Sequence, residues 1–132
     1  MSDSKIRAMI DEAESARRRA YAPYSNYMVG AAVRSESGRV YTGCNVENAA
    51  YPLGQCAEAS AIGAMIRAGD RKIVEVVIAG PTDEPCTPCG GCRQRIREFA
   101  DPDTSVIVCG PGGVLLETTM GELLPHAFTL NG

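Results

Sequence analysis

The segment from Ile73 to Ala79, IVEVVIA, constrains the fold of this chain more than any other stretch. It is almost entirely apolar and rich in β-branched residues, which favours a strand that is buried on both faces. A strand of that kind needs helices above and below its sheet. The segment therefore predicts an α/β fold in which this strand is central.

Strands alternate with helices along the rest of the chain. Apolar residues recur at helical spacing over residues 4–20, 56–68 and 91–100, and a short last helix is expected before Pro125. Ser2 or Ser4 is expected to cap the first helix, and Gly69 the second. Further strands are predicted over residues 29–33, 39–45, 105–109 and 114–117, the first two joined by the turn SESG. The sequence has no repeat or linker, so we expect one domain over residues 1–132, with helices on both faces of a single sheet.

Charge and hydropathy exclude several classes of protein. With 13 basic and 16 acidic residues the formal net charge is −3, so the attraction needed to coat a polymeric nucleic acid is missing. The N-terminal segment lacks the apolar core of a signal peptide, and no stretch approaches the roughly 20 apolar residues of a membrane span. We therefore expect a cytoplasmic protein with no membrane partner. Its six cysteines are then expected to serve metal binding or catalysis rather than disulfides.

Cys89 and Cys92 form a CxxC motif directly after Pro88. On its own this motif is compatible with half of a structural zinc site, with a redox dithiol or with part of a catalytic zinc site. A closed structural site normally needs a second pair of Cys or His ligands. The sequence has no second CxxC, and its single histidine, His126, is expected to be solvated.

Cys56 is the cysteine best suited to join this pair, because Glu58 follows it two residues later at a predicted helix start. Three thiolates leave one tetrahedral position of a zinc ion open, as in catalytic sites. A carboxylate beside that position can move protons between water and a substrate. Cys56 and Cys89 both precede helices, whose positive ends favour thiolates. The other cysteines are expected to be core residues or bystanders: Cys44, Cys86 and Cys109.

Longer segments extend the argument beyond the cysteines. They are AYAPYSNYMVGAA, TGCNVENAAYPLGQCAE, PCGGCRQ and LLPHAF, in that order. Together they resemble the small homotetrameric zinc-dependent cytidine deaminases of pyrimidine salvage, and the resemblance covers nearly the whole chain. It implies a three-layer α/β/α sandwich with a single mixed sheet of about five strands.

The resemblance also implies roles for individual residues. Zinc, one ion per chain, would be bound by Cys56, Cys89 and Cys92, with Glu58 as the proton shuttle. The nucleoside would be contacted by Tyr27, Asn45, Glu47 and backbone groups of Ala57 and Thr87. The residues that match those reaching a neighbouring subunit's site in the family are Ala49, Tyr51 and Phe128. A homotetramer with shared active sites is therefore expected.

Two positions depart from the commonest family pattern. Ala59 stands where the family often has an arginine that hydrogen-bonds the zinc-bound sulfurs. We expect either the helix dipoles or a nearby Arg93 or Arg95 to compensate for its loss. Tyr27 stands where phenylalanine is usual, and it keeps an aromatic face while adding a hydroxyl.

The implied reaction is hydrolysis of the C4 amine of cytidine and deoxycytidine, through attack of zinc-bound hydroxide, to give uridine or deoxyuridine and ammonia. Two alternatives stay open. A deaminase of the same fold that acts on a modified cytosine nucleoside or a blasticidin-type antibiotic is compatible with Ala59 and Tyr27. A non-enzymatic zinc or redox domain is compatible with Cys89 and Cys92.

Overall fold

The computed structural model describes residues 3–130, so a predicted helix cap at Ser2 lies outside it. In chain order its elements are α1 (Asp3–Arg17), β1 (Gly30–Ser35), β2 (Val40–Cys44), a 3-10 turn (Tyr51–Leu53), α2 (Ala57–Ala68), β3 (Ile73–Ala79), α3 (Gly90–Phe99), β4 (Ala100–Gly110), β5 (Gly113–Thr119) and α4 (Met120–Leu123). The predicted alternation of strands and helices is confirmed.

The strands form one mixed sheet in the order β2-β1-β3-β4-β5. Strands β3 and β4 are parallel, and the other neighbouring pairs are antiparallel. A parallel pair needs a crossover connection, which α3 provides here. The predicted central strand β3 is therefore in the middle of the sheet, and the expected mixed sheet of about five strands is confirmed.

Alternate residues of β3 point into two separate cores. Val76 and Ile78 pack with residues of α2 and α3. Val77 and Ala79 lie on the opposite face, in a smaller core that includes Met9 of α1. Because a strand turns successive side chains to opposite faces, an apolar strand of this kind joins both layers. The result is the expected α/β/α arrangement.

A close approach between β2 and α2 sets the position of the second helix. A Cβ atom on Gly43 would lie 2.4 Å from the backbone nitrogen of Ala61 and 2.5 Å from the carbonyl oxygen of Ala57. Only glycine allows this contact. At the other end of α2, Gly69 has the left-handed backbone conformation (φ 103°) that was expected of its C-cap.

Several predicted boundaries were wrong by a few residues. Helix α1 ends at Arg17 rather than at residue 20, and α4 ends at Leu123, two residues before Pro125. Strand β4 begins at Ala100 rather than at residue 105, because Ala100 pairs with Ile73 across a shift in register. Strand β5 also extends beyond its predicted end. No helix in residues 3–130 combines the length and the apolar character needed to cross a membrane.

Candidate active site

Three sulfur atoms meet where two helices begin. The Sγ atoms of Cys56, Cys89 and Cys92 all lie within 4.8 Å of one another. Cys56 is the N-cap of α2, Cys89 is the N-cap of α3, and Cys92 lies in the first turn of α3. Zn–S bonds of about 2.3 Å place tetrahedral sulfur ligands about 3.8 Å apart, so this donor set fits a zinc ion.

Within the described part of the chain, no fourth side chain joins this cluster. Cys86 is half-buried and stays outside it, as does the exposed His126. Cys109 is buried in the core beneath α1, as predicted, whereas Cys44 is only half-buried at the end of β2. Three ligands leave the fourth zinc position open to water and substrate, which is the arrangement of a catalytic site rather than a structural one.

Glu58 is the acidic group of this site. It lies in the first turn of α2 and is only 5% exposed. Burial raises the pKa of its carboxyl, and the positive charge of Arg95 acts in the opposite direction. A carboxyl with a raised pKa takes up a proton more readily near neutral pH, which suits a general acid and base.

The local environments of the three thiols shift their pKa values in different directions when no metal is bound. The backbone N–H of Cys92 donates to the sulfur of Cys89, and this bond lowers the pKa of the Cys89 thiol. Burial raises the pKa of both Cys56 and Cys92. A bound cation stabilises the thiolate form of every ligand, so metal binding releases protons from all three.

A cavity of about 520 Å³ extends from Cys56 along the segment between β2 and α2. This volume lies within the range of small-molecule sites. Four of the predicted site residues line it, namely Asn45, Glu47, Tyr51 and Cys56. The other predicted residues do not line this cavity: Tyr27, Ala49, Ala57, Glu58, Thr87, Cys89, Cys92 and Phe128.

Asn45 and Glu47 hold the segment between α1 and β1. The Asn45 amide accepts a bond from the N–H of Val29 (2.8 Å) and donates one to the carbonyl oxygen of Tyr27 (2.9 Å). The Glu47 carboxylate accepts from the N–H groups of Tyr24 (2.9 Å) and Ser25 (3.2 Å) and from the Ser25 hydroxyl. These donors lower the pKa of Glu47, so it is ionised where it lines the cavity.

Tyr24 and Ser25 line the same cavity, although neither was predicted to be a site residue. The signal that marks them is the turn-forming run PYSN, in which Asn26 has a positive φ of 59°. That turn directs two consecutive N–H groups at one carboxylate. The segment between α1 and β1 is therefore held by Asn45 and Glu47, two of the predicted nucleoside contacts.

The other predicted nucleoside contacts differ in their burial. Ala57 is buried as the first residue of α2, whereas Thr87 is exposed and lies before the CxxC motif. Tyr27 is 39% exposed. Its pKa is raised by burial and then by the neighbouring Cys86 thiol, so the extra hydroxyl has a polar partner within the chain.

The residues predicted to reach a neighbouring subunit lie at the surface. Ala49 is exposed, Tyr51 is 78% exposed and Phe128 is 70% exposed. The backbone oxygen of Phe128 accepts a bond from the side-chain amide of Gln94 on α3 (2.8 Å). The aromatic ring is thus presented outward from a segment that is attached to the zinc-site helix.

The chain is similar to known proteins over most of its length. Residues 3–109 match the model of the cytidine and deoxycytidylate deaminase zinc-binding region. A cytidine deaminase of Sporosarcina psychrophila is 40% identical over 94% of this chain and 91% of its own, and one of Halalkalibacterium halodurans is 43% identical over 92% of each. The crystal structure of cytidine deaminase from Burkholderia pseudomallei superposes with a TM-score of 0.88 and 43% identity, covering 97% of this chain and all of that one. The chain therefore belongs to the zinc-binding cytidine deaminase family.

Proposed function

We propose that this protein hydrolyses the C4 amine of cytidine and deoxycytidine, giving uridine or deoxyuridine and ammonia. The observation that supports this proposal most strongly is the buried Glu58 in the same helical turn that follows Cys56, beside three clustered sulfurs. Family membership supports the same chemistry, since the relatives that match nearly the whole chain are named cytidine deaminases.

Cys56, Cys89 and Cys92 would hold the zinc ion. When bound, zinc lowers the pKa of water and so supplies a nucleophile at neutral pH. The protein's part is to fix three soft ligands on two helix N-termini and to leave one side of the cluster open. The partial positive charge at both helix ends then lies close to the negative sulfurs.

Glu58 would move the protons. It takes one proton from the attacking water and gives it to N3 of the cytosine ring as the new C4–O bond forms. It then takes the proton of the resulting C4 hydroxyl and gives it to the amino group, so that the C4–N4 bond breaks and ammonia leaves. One water is consumed, and the product keeps the proton on N3. The raised pKa of Glu58 suits a group that must both accept and donate.

Asn45 and Glu47 would bind the sugar. One N–H of the Asn45 amide is used by Tyr27, and its second N–H can donate to a ribose oxygen. Glu47 offers an ionised acceptor in the same cavity. Backbone groups at Ala57 and Thr87 would hold the pyrimidine edge, with the ring of Tyr27 against the nucleoside. The net charge of −3 argues against a polymeric nucleic acid as the substrate.

We also propose a homotetramer in which Ala49, Tyr51 and Phe128 complete a neighbouring subunit's site. The exposed rings of Tyr51 and Phe128 support this, because large aromatic side chains gain most when a partner covers them. A single domain over residues 1–132 and a cytoplasmic location stay predictions.

Release of ammonia from a panel of cytosine compounds tests the proposed function. Zinc-loaded protein is expected to turn over cytidine and deoxycytidine, and the E58Q variant should lose about 10²- to 10⁴-fold in kcat. E117Q, at an exposed position on β5, is the matched control and should keep full activity.

Zinc content and melting temperature must stay the same in E58Q for this loss to reflect proton transfer. Substantial turnover by zinc-loaded E58Q would remove Glu58 from its role. Turnover of a modified cytosine nucleoside or a blasticidin-type compound, with none of the plain nucleosides, would contradict the proposed substrate.

A further inference from the structure

The sulfur cluster carries more negative charge than its zinc ion can balance. Three thiolates and one divalent cation sum to about −1, and Glu58 adds a further carboxylate beside them. Cys92 is the ligand whose negative charge is hardest to stabilise, because its side chain is fully buried. A negative charge on a buried sulfur is costly unless a donor or a cation contacts it. A positive group of the chain close to Cys92 would offset the charge that the zinc ion leaves unbalanced.

The first turns of α2 contain no cationic side chain. Ala59 follows Glu58, and its methyl side chain has neither charge nor hydrogen-bond donor. A cavity of about 400 Å³ lies next to it, lined in part by Ala59, Gly63 and Arg95. The space beside Ala59 is thus shared with an arginine that comes from the neighbouring helix α3.

The two arginines near the cluster have different hydrogen-bond partners. Arg93 is occupied elsewhere, since its guanidinium donates to the carbonyl oxygens of Pro88 (2.7 Å) and Leu123 (2.9 Å). Arg95 instead places Nη1 3.6 Å from the Sγ atom of Cys92. Among residues 3–130 it pairs with no carboxylate, so its charge is directed at the sulfurs.

Local sequence explains why Arg95 reaches the cluster. Residues three apart on a helix lie on the same face, so an arginine at 95 lies above Cys92. Its Nη1 atom lies 3.4 Å from the point where a Cβ atom on Gly91 would be, so the guanidinium folds back over the first turn of α3.

We propose that Arg95 is the positioning residue that balances the charge of the zinc thiolates, and that it does from α3 what an arginine at position 59 would do from α2. This inference rests on the proposed zinc site. It assigns the contact between an arginine and the zinc-bound sulfurs to α3 instead of α2. Arg95 acts through the Cys92 sulfur and does not touch the substrate.

Zinc affinity, measured by competition with a chelator in the absence of substrate, tests this role. R95Q should weaken zinc binding by about 10- to 100-fold, which is the usual cost of losing an outer-shell partner. R95K keeps the positive charge but lacks the planar guanidinium, so its zinc affinity should fall less than that of R95Q. R67Q makes the same change in net charge at an exposed residue in the last turn of α2, and it should bind zinc as the wild type does.

The double variant A59R/R95Q moves the arginine from α3 to α2. It should recover most of the affinity lost in R95Q, because both positions border the same cavity. In cobalt-substituted protein, the sulfur-to-metal charge-transfer band should shift in R95Q and return in the double variant. A merely structural role for Arg95 would not move this band in a folded protein.

Wild-type zinc affinity in R95Q, or equal losses in R95Q and R67Q, would overturn the proposal. Failure of A59R/R95Q to bind more tightly than R95Q would also overturn it. The outcome is independent of the reaction. Zinc binding that depends on Arg95 in a protein that releases no ammonia would refute the proposed function alone, whereas an active enzyme with unchanged zinc affinity in R95Q would refute this inference alone.

Discussion

Helices α2 and α3 meet at one sulfur cluster, but they are held in different ways. The buried side of α2 comprises Ala57, Glu58, Ala61, Ile62 and Met65, so apolar packing fixes this helix against the sheet. The buried side of α3 comprises only Cys92 and Ile96. Polar bonds tie α3 to the C-terminal part of the chain, since Arg93 donates to the carbonyl oxygen of Leu123 (2.9 Å) and Gln94 to that of Phe128 (2.8 Å).

This difference matches what each helix contributes. Glu58, the proposed proton shuttle, lies on the helix that apolar packing fixes, where burial raises its pKa. Two of the three sulfurs and the compensating Arg95 lie on the more polar helix, where a guanidinium can reach the cluster without being buried. We infer that α2 sets the geometry of proton transfer and that α3 sets the charge of the metal site.

Displacement of α2 should have the largest effect on the site. In G43A the new methyl group would overlap backbone atoms of Ala57 and Ala61, which a side-chain rotation cannot relieve. Overpacking of this kind costs about 1–3 kcal/mol in the free energy of unfolding. Because the N-terminus of α2 carries Cys56 and Glu58, zinc affinity and kcat should fall as well. Chemical denaturation and chelator competition measure the two effects.

G63A is the matched control for G43A, because it makes the same substitution on α2 itself. A Cβ atom on Gly63 would meet no heavy atom within 4 Å. The variant should be more stable than the wild type by up to about 1 kcal/mol, through helix propensity. If G43A is as stable as G63A and binds zinc equally well, the contact between β2 and α2 does not position the site.

A smaller effect is expected at the other end of α2. The carboxylate of Asp70 accepts hydrogen bonds from the hydroxyls of Ser35 (2.7 Å), Ser37 (2.7 Å) and Tyr41 (2.6 Å). These bonds join the end of α2 to the β1–β2 hairpin. They lower the pKa of Asp70 from 3.8 to about 2.

The direction of the pH effect follows from this shift. A carboxyl whose pKa is lower in the folded protein stabilises the fold above pH 3.8, and this contribution is lost as the pH falls towards 2. D70N should therefore melt at a lower temperature than the wild type at neutral pH, and the two melting curves should converge near pH 2. A difference that stays constant over this range would show that the charge of Asp70 does not hold the hairpin to α2.

Much of the fold could be predicted because its pattern is local. The apolar run of β3 and the helical spacing of α2 are visible in short windows of sequence. The start of β4 could not be predicted in the same way. Residues 101–103, Asp-Pro-Asp, are typical of a loop, and only the pairing of Ala100 with Ile73 extends the strand through them.

The same distinction applies to the site. Cys56, Glu58, Cys89 and Cys92 could be predicted from spacing and helix starts, because each pair lies within one short motif. The choice between Arg93 and Arg95 depends on which groups surround each guanidinium, and those groups come from distant parts of the chain. The spacing of three between Cys92 and Arg95 was the available signal, but a surface arginine at that spacing is common without a role.

X-ray absorption at the zinc edge counts the sulfur neighbours of the metal and therefore tests the proposed site of three sulfurs. The account predicts about one zinc ion per chain with three sulfurs at about 2.3 Å and one lighter neighbour. Among the other cysteines, Cys86 is the best candidate for a fourth sulfur ligand, because its thiol interacts electrostatically with Glu58 and Cys89. The proposed site does not include it, so the C86S variant should give the same spectrum as the wild type. Four sulfur neighbours in the wild type, or protein that binds no zinc at all, would contradict it.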